Sequence, residues 1–207
     1  MRLAALPAAG RFLQKVSRIA AFAGITPATS IPNGASFASL LSFTKGRAIN
    51  GTPGWLSFRL TNGKLLHVSQ MPIRTNFCWN DLLAADLLTG NRQITTDGKR
   101  YKIRLMTGSV DGLGRVAGGE WDELMYAVAA SRPATYKGPI LANYTNAQLG
   151  LQLPEGASNY CQETSKANGE NNDYCVTRAY SGISQFTFST KSVANANAGW
   201  RPVLEEV

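Results

Sequence analysis

The sequence predicts an α+β fold, in which an extended basic arm at the N-terminus precedes a compact body of antiparallel hairpins with two main helices. Three observations predict it: tight-turn dipeptides between alternating strands, two stretches with helical periodicity, and eighty N-terminal residues without an acid. The 207 residues, 44% of them hydrophobic, suffice for one core. We therefore assign residues 1–54 to an arm and connector and residues 55–207 to the body.

Turn chemistry predicts two hairpins early in the body. Trp55–Leu60 pairs with Lys64–Ser69 across an Asn-Gly dipeptide, and Ile94–Thr96 pairs with Arg100–Met106 across an Asp-Gly dipeptide. Both dipeptides accept the positive φ angles of a tight turn. Further strands are predicted at Tyr160–Thr164, Tyr174–Tyr180 and Ser184–Thr190, and the chain closes on Gly199-Trp-Arg-Pro-Val-Leu204.

Two helices are predicted between these strands. Asn80 is a suitable cap for a helix over Asp81–Leu88 that Gly90 closes. A second helix over Glu120–Ala130 places its apolar residues on one stripe. Negative charge near a helix N-terminus is electrostatically favourable, so the acids of its first turn need no catalytic explanation. These acids are Glu120, Asp122 and Glu123.

The N-terminal segment has the pattern of a basic amphipathic helix. Apolar residues recur at helical spacing over Phe12–Ala23, while Arg11, Lys15 and Arg18 lie off that stripe. We expect this helix to pack on its own domain or on a neighbouring subunit, ahead of membrane contact. The three cations also interrupt the apolar run that a secretory signal needs. Residues 24–54, rich in Pro, Gly and Ser, are predicted to form an extended connector.

Charge is divided unevenly along the chain. Residues 1–80 contain nine Lys/Arg and no acid, whereas residues 81–207 contain twelve Lys/Arg and thirteen acids. Such a basic stretch attracts a negative partner, whether nucleic acid, an acidic protein surface or anionic lipid. The cations are scattered from Arg2 to Arg74, which argues against nucleic acid, and no apolar run is long enough to span a bilayer. The predicted partner-binding residues of the arm are Arg11, Lys15, Arg18, Lys45 and Arg47.

Few residues suggest a catalytic or metal-binding site. His67 is the only histidine and lies within an alternating strand, so it is interpreted as structural. Cys78, Cys161 and Cys175 lack metal-ligand spacing and are expected to be reduced thiols, with a Cys161–Cys175 bridge as the alternative. No metal or other cofactor is predicted.

Acidic residues of the C-terminal half allow two interpretations. Glu163 with Glu170 or Asp173 could supply paired carboxylates for glycan cleavage. Alternatively, Glu163 and Arg178 form a buried pair on neighbouring strands. If Arg201 lies within the body, its guanidinium can cross-link strands through several donors.

A polar loop joins two of the predicted strands and is the candidate recognition surface. Exposed amide and acidic groups can hydrogen-bond sugars or a protein partner from a rigid scaffold, and a solvated hairpin tip is the alternative. The candidate recognition residues are Lys166, Asn168, Glu170, Asn171, Asn172 and Asp173.

Beyond Lys64, the order of several motifs resembles a family of bacteriophage virion and prophage-encoded structural proteins. These motifs span about two-thirds of the chain. They are Met71-Pro-Ile-Arg74, Cys78-Trp-Asn-Asp81, Gly98-Lys-Arg-Tyr-Lys-Ile-Arg-Leu105, Gly119-Glu-Trp-Asp-Glu-Leu-Met-Tyr126, Asn143-Tyr-Thr-Asn146, Tyr160-Cys-Gln-Glu-Thr164, Arg178-Ala-Tyr180 and Gly199-Trp-Arg-Pro-Val-Leu204.

The resemblance implies a non-enzymatic module of a tail, fibre or other surface component of the virion, assembled in the host cytoplasm. Its closing motif is similar to the last strand of C-type-lectin-like and formylglycine-generating-enzyme-like folds. Expected partners are other virion proteins, further copies of the chain, and a host receptor or surface glycan; a tail enzyme that cleaves glycan is the remaining alternative. The residues expected to be structural are Trp121, Glu163, Arg178, Trp200 and Arg201.

Overall fold

The computed structural model describes residues 18–111, 114–165 and 173–207. Over these residues the chain is mixed α+β, with mostly antiparallel strands in two sheets and few helices. The strands are β1 (Ile19–Thr26), β2 (Arg47–Ala48), β3 (Trp55–Leu60), β4 (Leu65–Ser69), β5 (Arg74–Phe77), β6 (Thr89–Thr96), β7 (Lys99–Arg104), β8 (Ser158–Ser165), β9 (Tyr174–Arg178), β10 (Phe186–Thr190), β11 (Asn195–Trp200) and β12 (Val203–Glu206).

The first sheet has the strand order β1-β3-β4-β12-β7-β6, and the second has the order β10-β9-β8-β11-β5-β2. The predicted hairpins are confirmed, because β3 with β4, β6 with β7, and β8 with β9 are antiparallel neighbours. Strands β8 and β11 run parallel. The hairpins therefore supply four of the six strands of the first sheet and two of the six strands of the second.

The central strands of the first sheet are buried on both faces. Trp55 and Leu204 belong to a core that also contains Trp200 of the second sheet. Leu56, the neighbour of Trp55 in β3, belongs to a second core together with Trp121. Successive side chains of a strand point to opposite faces, so β3 contributes to both cores.

The closing motif forms two strands, in different sheets. Trp200 ends β11 in the second sheet, and Val203 begins β12 in the first. Pro202 lies between them and has no N–H for a ladder hydrogen bond. The chain turns there from one sheet to the other, so this motif joins the two layers.

The expected helix at the N-terminus is contradicted where the structure describes it. Residues 19–23 belong to β1, whose backbone pairs with β3. The hydrogen bonds of this ladder pair the backbone N–H and C=O groups along one edge of β3, which a helix would leave unpaired. Residues 12–17 lie outside the described residues.

The expected extended connector contributes to the body. Helix α1 (Ala35–Leu40) buries Phe37, and Leu41 follows it into the core. The ring of Phe37 lies 5.3 Å from that of Trp55. The basic arm is therefore not confirmed as an extended segment between residues 18 and 54.

Both predicted body helices are present but shorter. Helix α2 spans Trp79–Ala84 and is capped by Cys78 rather than Asn80, with the Asp81 carboxylate accepting from the Cys78 N–H at 2.9 Å. The second consists of a π-helix at Trp121–Met125 and one turn, α3, at Tyr126–Val128. It ends early because Ala129 is in extended conformation and bridges to Tyr144.

His67 lies in β4 opposite Ser57 and is buried. Its Nδ1 is 2.8 Å from the Ser57 hydroxyl, and its ring makes an edge contact with Tyr101. Burial lowers the pKa of His67 to about 4, against the opposing effect of Glu206. The imidazole is therefore neutral at pH 7 and acts as a packing group.

We predict that His67 makes folding weaken in mild acid. The unfolded chain takes up this proton near pH 6.5 and the folded chain only near pH 4, so stability is complete above that window and falls through it. Urea unfolding should show a loss of roughly 3 kcal/mol from this group between pH 7 and pH 4. The variant His67→Leu should lack this component; an unchanged pH slope would contradict the prediction.

Candidate functional site

The acidic residues at the start of the π-helix each contact arginine. Glu120 forms a two-pronged pair with Arg104, with nitrogen–oxygen distances of 2.5 and 2.8 Å. Glu120 also accepts a hydrogen bond from the Arg18 guanidinium. Both Glu120 and Arg104 are buried, so this pair lies inside the fold.

The same network of ion pairs and hydrogen bonds includes residues near both ends of the described chain, Arg18 and Glu205. Arg104 donates to Glu205 of β12 at 2.7 Å. Partial burial would raise the pKa of Glu205, but the Arg104 guanidinium outweighs it and lowers that pKa. Glu123 accepts from the backbone N–H of Arg18 at 2.8 Å. The start of β1 is thereby fixed to the π-helix.

Two further guanidiniums lie against the Trp121 ring. Arg178 is 5.7 Å from the ring centroid and Arg201 is 5.9 Å from a ring centroid of the same indole, within cation–π range. Arg178 also donates to the Asp122 carboxylate at 2.7 Å and to the Tyr126 hydroxyl at 3.0 Å. Trp121 and Arg178 are both fully buried in these contacts.

Arg201 is a buried cation held by neutral acceptors. Its guanidinium donates to the Asn159 side chain at 2.8 Å and to the carbonyl oxygens of Ser69, Gln70 and Leu149 at 2.5 to 2.9 Å. Burial lowers its pKa to about 9, which leaves the group charged at pH 7. Arg201 therefore joins segments that lie far apart in the sequence.

The predicted Glu163–Arg178 ion pair is wrong, although both side chains bind the same residue. Glu163 accepts from the N–H groups of Gly108 at 3.0 Å and Ser109 at 3.1 Å. Arg178 instead donates to the Gly108 carbonyl at 2.9 Å. Burial raises the pKa of Glu163, and the N–H groups that it accepts from oppose that shift. The residue is structural because it anchors a loop.

The cations assigned to the arm do not gather at one site. Arg18 belongs to the π-helix contacts, whereas Arg47 pairs with Glu155 beside an open cleft of about 520 Å³. The Lys45 side chain is exposed, and its carbonyl accepts from Arg74 at 2.7 Å. Arg11 and Lys15 lie outside the described residues.

The candidate recognition loop also falls mostly outside the described residues. Lys166, Asn168, Glu170, Asn171 and Asn172 are among those not described. Asp173, at the start of the described segment, is exposed, and its carbonyl accepts from the Lys191 N–H at 2.8 Å.

All three cysteines are free thiols, with Cys161 and Cys175 buried. Across the β8–β9 ladder Cys175 faces Thr164, three positions from Cys161. A bulge in β8 sets this register, so the alternative of a bridge between them is absent from this structure.

One cleft, on the second sheet, was missed in the sequence. It measures about 170 Å³ and is lined by Ser158, Thr177, Tyr180, Thr187, Phe188 and Asn195. Thr177 and Thr187 are direct cross-strand partners. Small polar residues on adjacent strands were the available signal, but only the strand order brings them to one cleft.

No family model, curated protein or solved structure matches this chain. Among the helices of the described residues, none has the length and apolar character to cross a membrane.

We predict that Glu120→Gln destabilises the fold by about 3 kcal/mol, because the buried Arg104 guanidinium loses its two-pronged carboxylate partner and keeps only Glu205. Urea unfolding followed by tryptophan fluorescence measures the effect. The matched control is Glu155→Gln in the solvent-exposed Arg47 pair, which should cost no more than about 1 kcal/mol. Equal losses in both variants would show that the buried pair has no special weight.

We predict that Arg201→Met costs roughly 3 kcal/mol or more, because three buried carbonyls and one amide oxygen lose their donor together. Arg115→Met removes a surface pair with Asp111 and should change stability by less than about 1 kcal/mol. The prediction fails if Arg201→Met unfolds at the same urea concentration as the parent chain or a higher one.

Proposed function

We propose that this chain is a non-enzymatic structural protein of a bacteriophage particle, a tail, fibre or surface component that assembles with other virion proteins through its basic N-terminal arm. The motif order that resembles phage virion proteins supports this. A C-type-lectin-like fold, self-association and placement in the virion, with assembly in the host cytoplasm, are parts of the same proposal.

The observation that carries the proposal is the pairing of carboxylates in the body with arginines of the same chain. The carboxylates of Glu120, Asp122, Glu155 and Glu205 all pair with arginines of the same chain. Residues 1–17 of the arm carry three cations and no acid. An acidic surface on another subunit would complement this charge.

The residue that follows positions 1–17 is fixed to the body by several contacts. Arg18 is held by Glu120 and Glu123, and its carbonyl accepts from Thr61 at 2.8 Å. The seventeen residues before it can reach about 60 Å when extended. An arm fixed at its base can therefore bind across a neighbouring subunit without pulling β1 from the sheet.

The groups that a catalytic function would use have structural partners. The Glu163 carboxylate accepts hydrogen bonds from two backbone N–H groups, and His67 is buried, neutral and hydrogen-bonded to Ser57. These contacts favour binding over glycan cleavage. The alternative of a tip that binds a host receptor or glycan is favoured by the uncharged cleft on the second sheet.

We predict that Arg11→Glu/Lys15→Glu lowers incorporation into phage particles by about tenfold or more, because like charges then face the acidic partner. Quantitative immunoblotting of purified particles measures incorporation. Thermal unfolding of the isolated variant should match that of the parent chain, since Arg11 and Lys15 precede the first strand in the sequence.

The matched control is Lys64→Glu/Lys137→Glu, which reverses two exposed lysines of the body. It should leave incorporation unchanged. Equal loss in both double variants would mean that total charge matters and the arm does not. Deletion must stop before Arg18, because removing residues 1–30 would also remove β1.

A further inference from the structure

We propose that residues 12–17 of this chain dock onto a cleft of their own body, so that the last part of the arm covers an exposed apolar surface. The cleft lies beside the π-helix, and its occupant is the segment that directly precedes Arg18. This docking concerns the same arm as the assembly role proposed above but does not rest on that role, because it uses apolar side chains and not the cations.

The cleft has a volume of about 270 Å³ and a mixed lining. The π-helix contributes Asp122 and Glu123, and two loops contribute Val110, Tyr136 and Pro139. Both carboxylates already accept hydrogen bonds from arginines of the same chain. The apolar side chains of the loops are therefore what the cleft offers to a docking segment.

Exposed apolar surface is concentrated beside this cleft. Among the large hydrophobic residues of the described chain, Ile140 at 63% and Val110 at 62% are the most exposed. Val110 lines the cleft, and Ile140 directly follows Pro139, which lines it as well. Val116, 52% exposed, accepts a hydrogen bond from the backbone N–H of Val110 at 3.1 Å. Such a group favours a covering segment, because covering it removes apolar surface from water.

The chain enters the described structure at this cleft. The backbone N–H of Arg18 donates to the Glu123 carboxylate at 2.8 Å, and Glu123 lines the cleft. Since six residues span at most about 20 Å, every residue from Phe12 onward lies within that distance of Arg18. A segment tethered so close has a high effective concentration at the cleft, which favours it over the same segment of a second molecule.

The composition of residues 12–17 matches this surface. Phe12, Leu13 and Val16 are apolar, and the segment contains one cation, Lys15, and no acid. Because the cations lie off the apolar stripe, docking by the apolar side chains leaves Arg11 and Lys15 to a partner. One short segment can thereby be fixed to the body by one set of side chains and bind another subunit by the other set.

Trypsin cleavage of the full chain tests the docking. Trypsin cuts after Lys15 only when this segment leaves the cleft, so the rate of the cut follows the undocked fraction. The cleft variant Val110→Gln/Ile140→Gln removes apolar surface beside the cleft and should speed the cut by about tenfold. Mass spectrometry of the product that begins at Val16 measures the rate.

The matched control is Leu83→Gln/Val193→Gln, which changes two residues of similar exposure, 51% and 58%, outside the cleft lining. It should leave the cut after Lys15 at the rate of the parent chain. Cleavage after Lys64, which lies between β3 and β4, should keep the parent rate in every variant. If the cleft variant also speeds cleavage after Lys64, its body has unfolded, and a variant of the arm decides the question.

That arm variant is Phe12→Ser/Leu13→Ser, which tests the same contact from the other side. It should speed the cut after Lys15 by the same factor of about ten. Combining it with the cleft variant should add nothing, because one docking contact cannot be lost twice. Gln14→Ala changes a polar residue of the same segment and should leave the rate unchanged.

Three results would overturn the proposal. Parent rates after Lys15 in the arm variant would show that the cleft does not hold the segment. A combined variant that is cut about a hundredfold faster would show that the two surfaces act independently. Protection that rises with protein concentration, together with a dimer in light scattering, would assign the cleft to the segment of a second copy. None of these results alters the incorporation test, which changes Arg11 and Lys15, so the two proposals fail separately.

Discussion

Arginine pairing around residues 120–123 is the constraint on which the rest of this structure depends. A guanidinium removed from water needs acceptors on its donors, and the acidic segment supplies them to Arg18, Arg104 and Arg178. These three come from the first residue before β1, from the first sheet and from the second sheet. One short segment thereby sets where all three elements lie.

The second constraint is the crossing between the sheets at residues 199–203. Gly199 approaches another backbone so closely that an added Cβ would lie 2.7 Å from the Gly156 carbonyl oxygen. Arg201 then fills the corner and binds carbonyls from two other segments of the chain. The motif that most resembled a family signature therefore has a local physical reason for each residue type.

These constraints also separate structure from function. Glu120, Asp122 and Glu205 of the body pair with arginines of the same chain, and residues 1–17 carry three cations and no acid, which is the charge that the proposed assembly role uses. None of the residues that line the cleft at Ser158 is charged.

The sequence by itself determined the hairpins and the burial of His67, because Asn-Gly and Asp-Gly turns and strand alternation act over a few residues. Only the tertiary structure decided that residues 19–26 form a strand, since β3 offers them an edge. Long-range partners were equally hidden: Arg18 and Glu123 are 105 positions apart, and Glu163 binds the loop at Gly108 instead of Arg178. Such pairings depend on sheet order, which no local pattern contains.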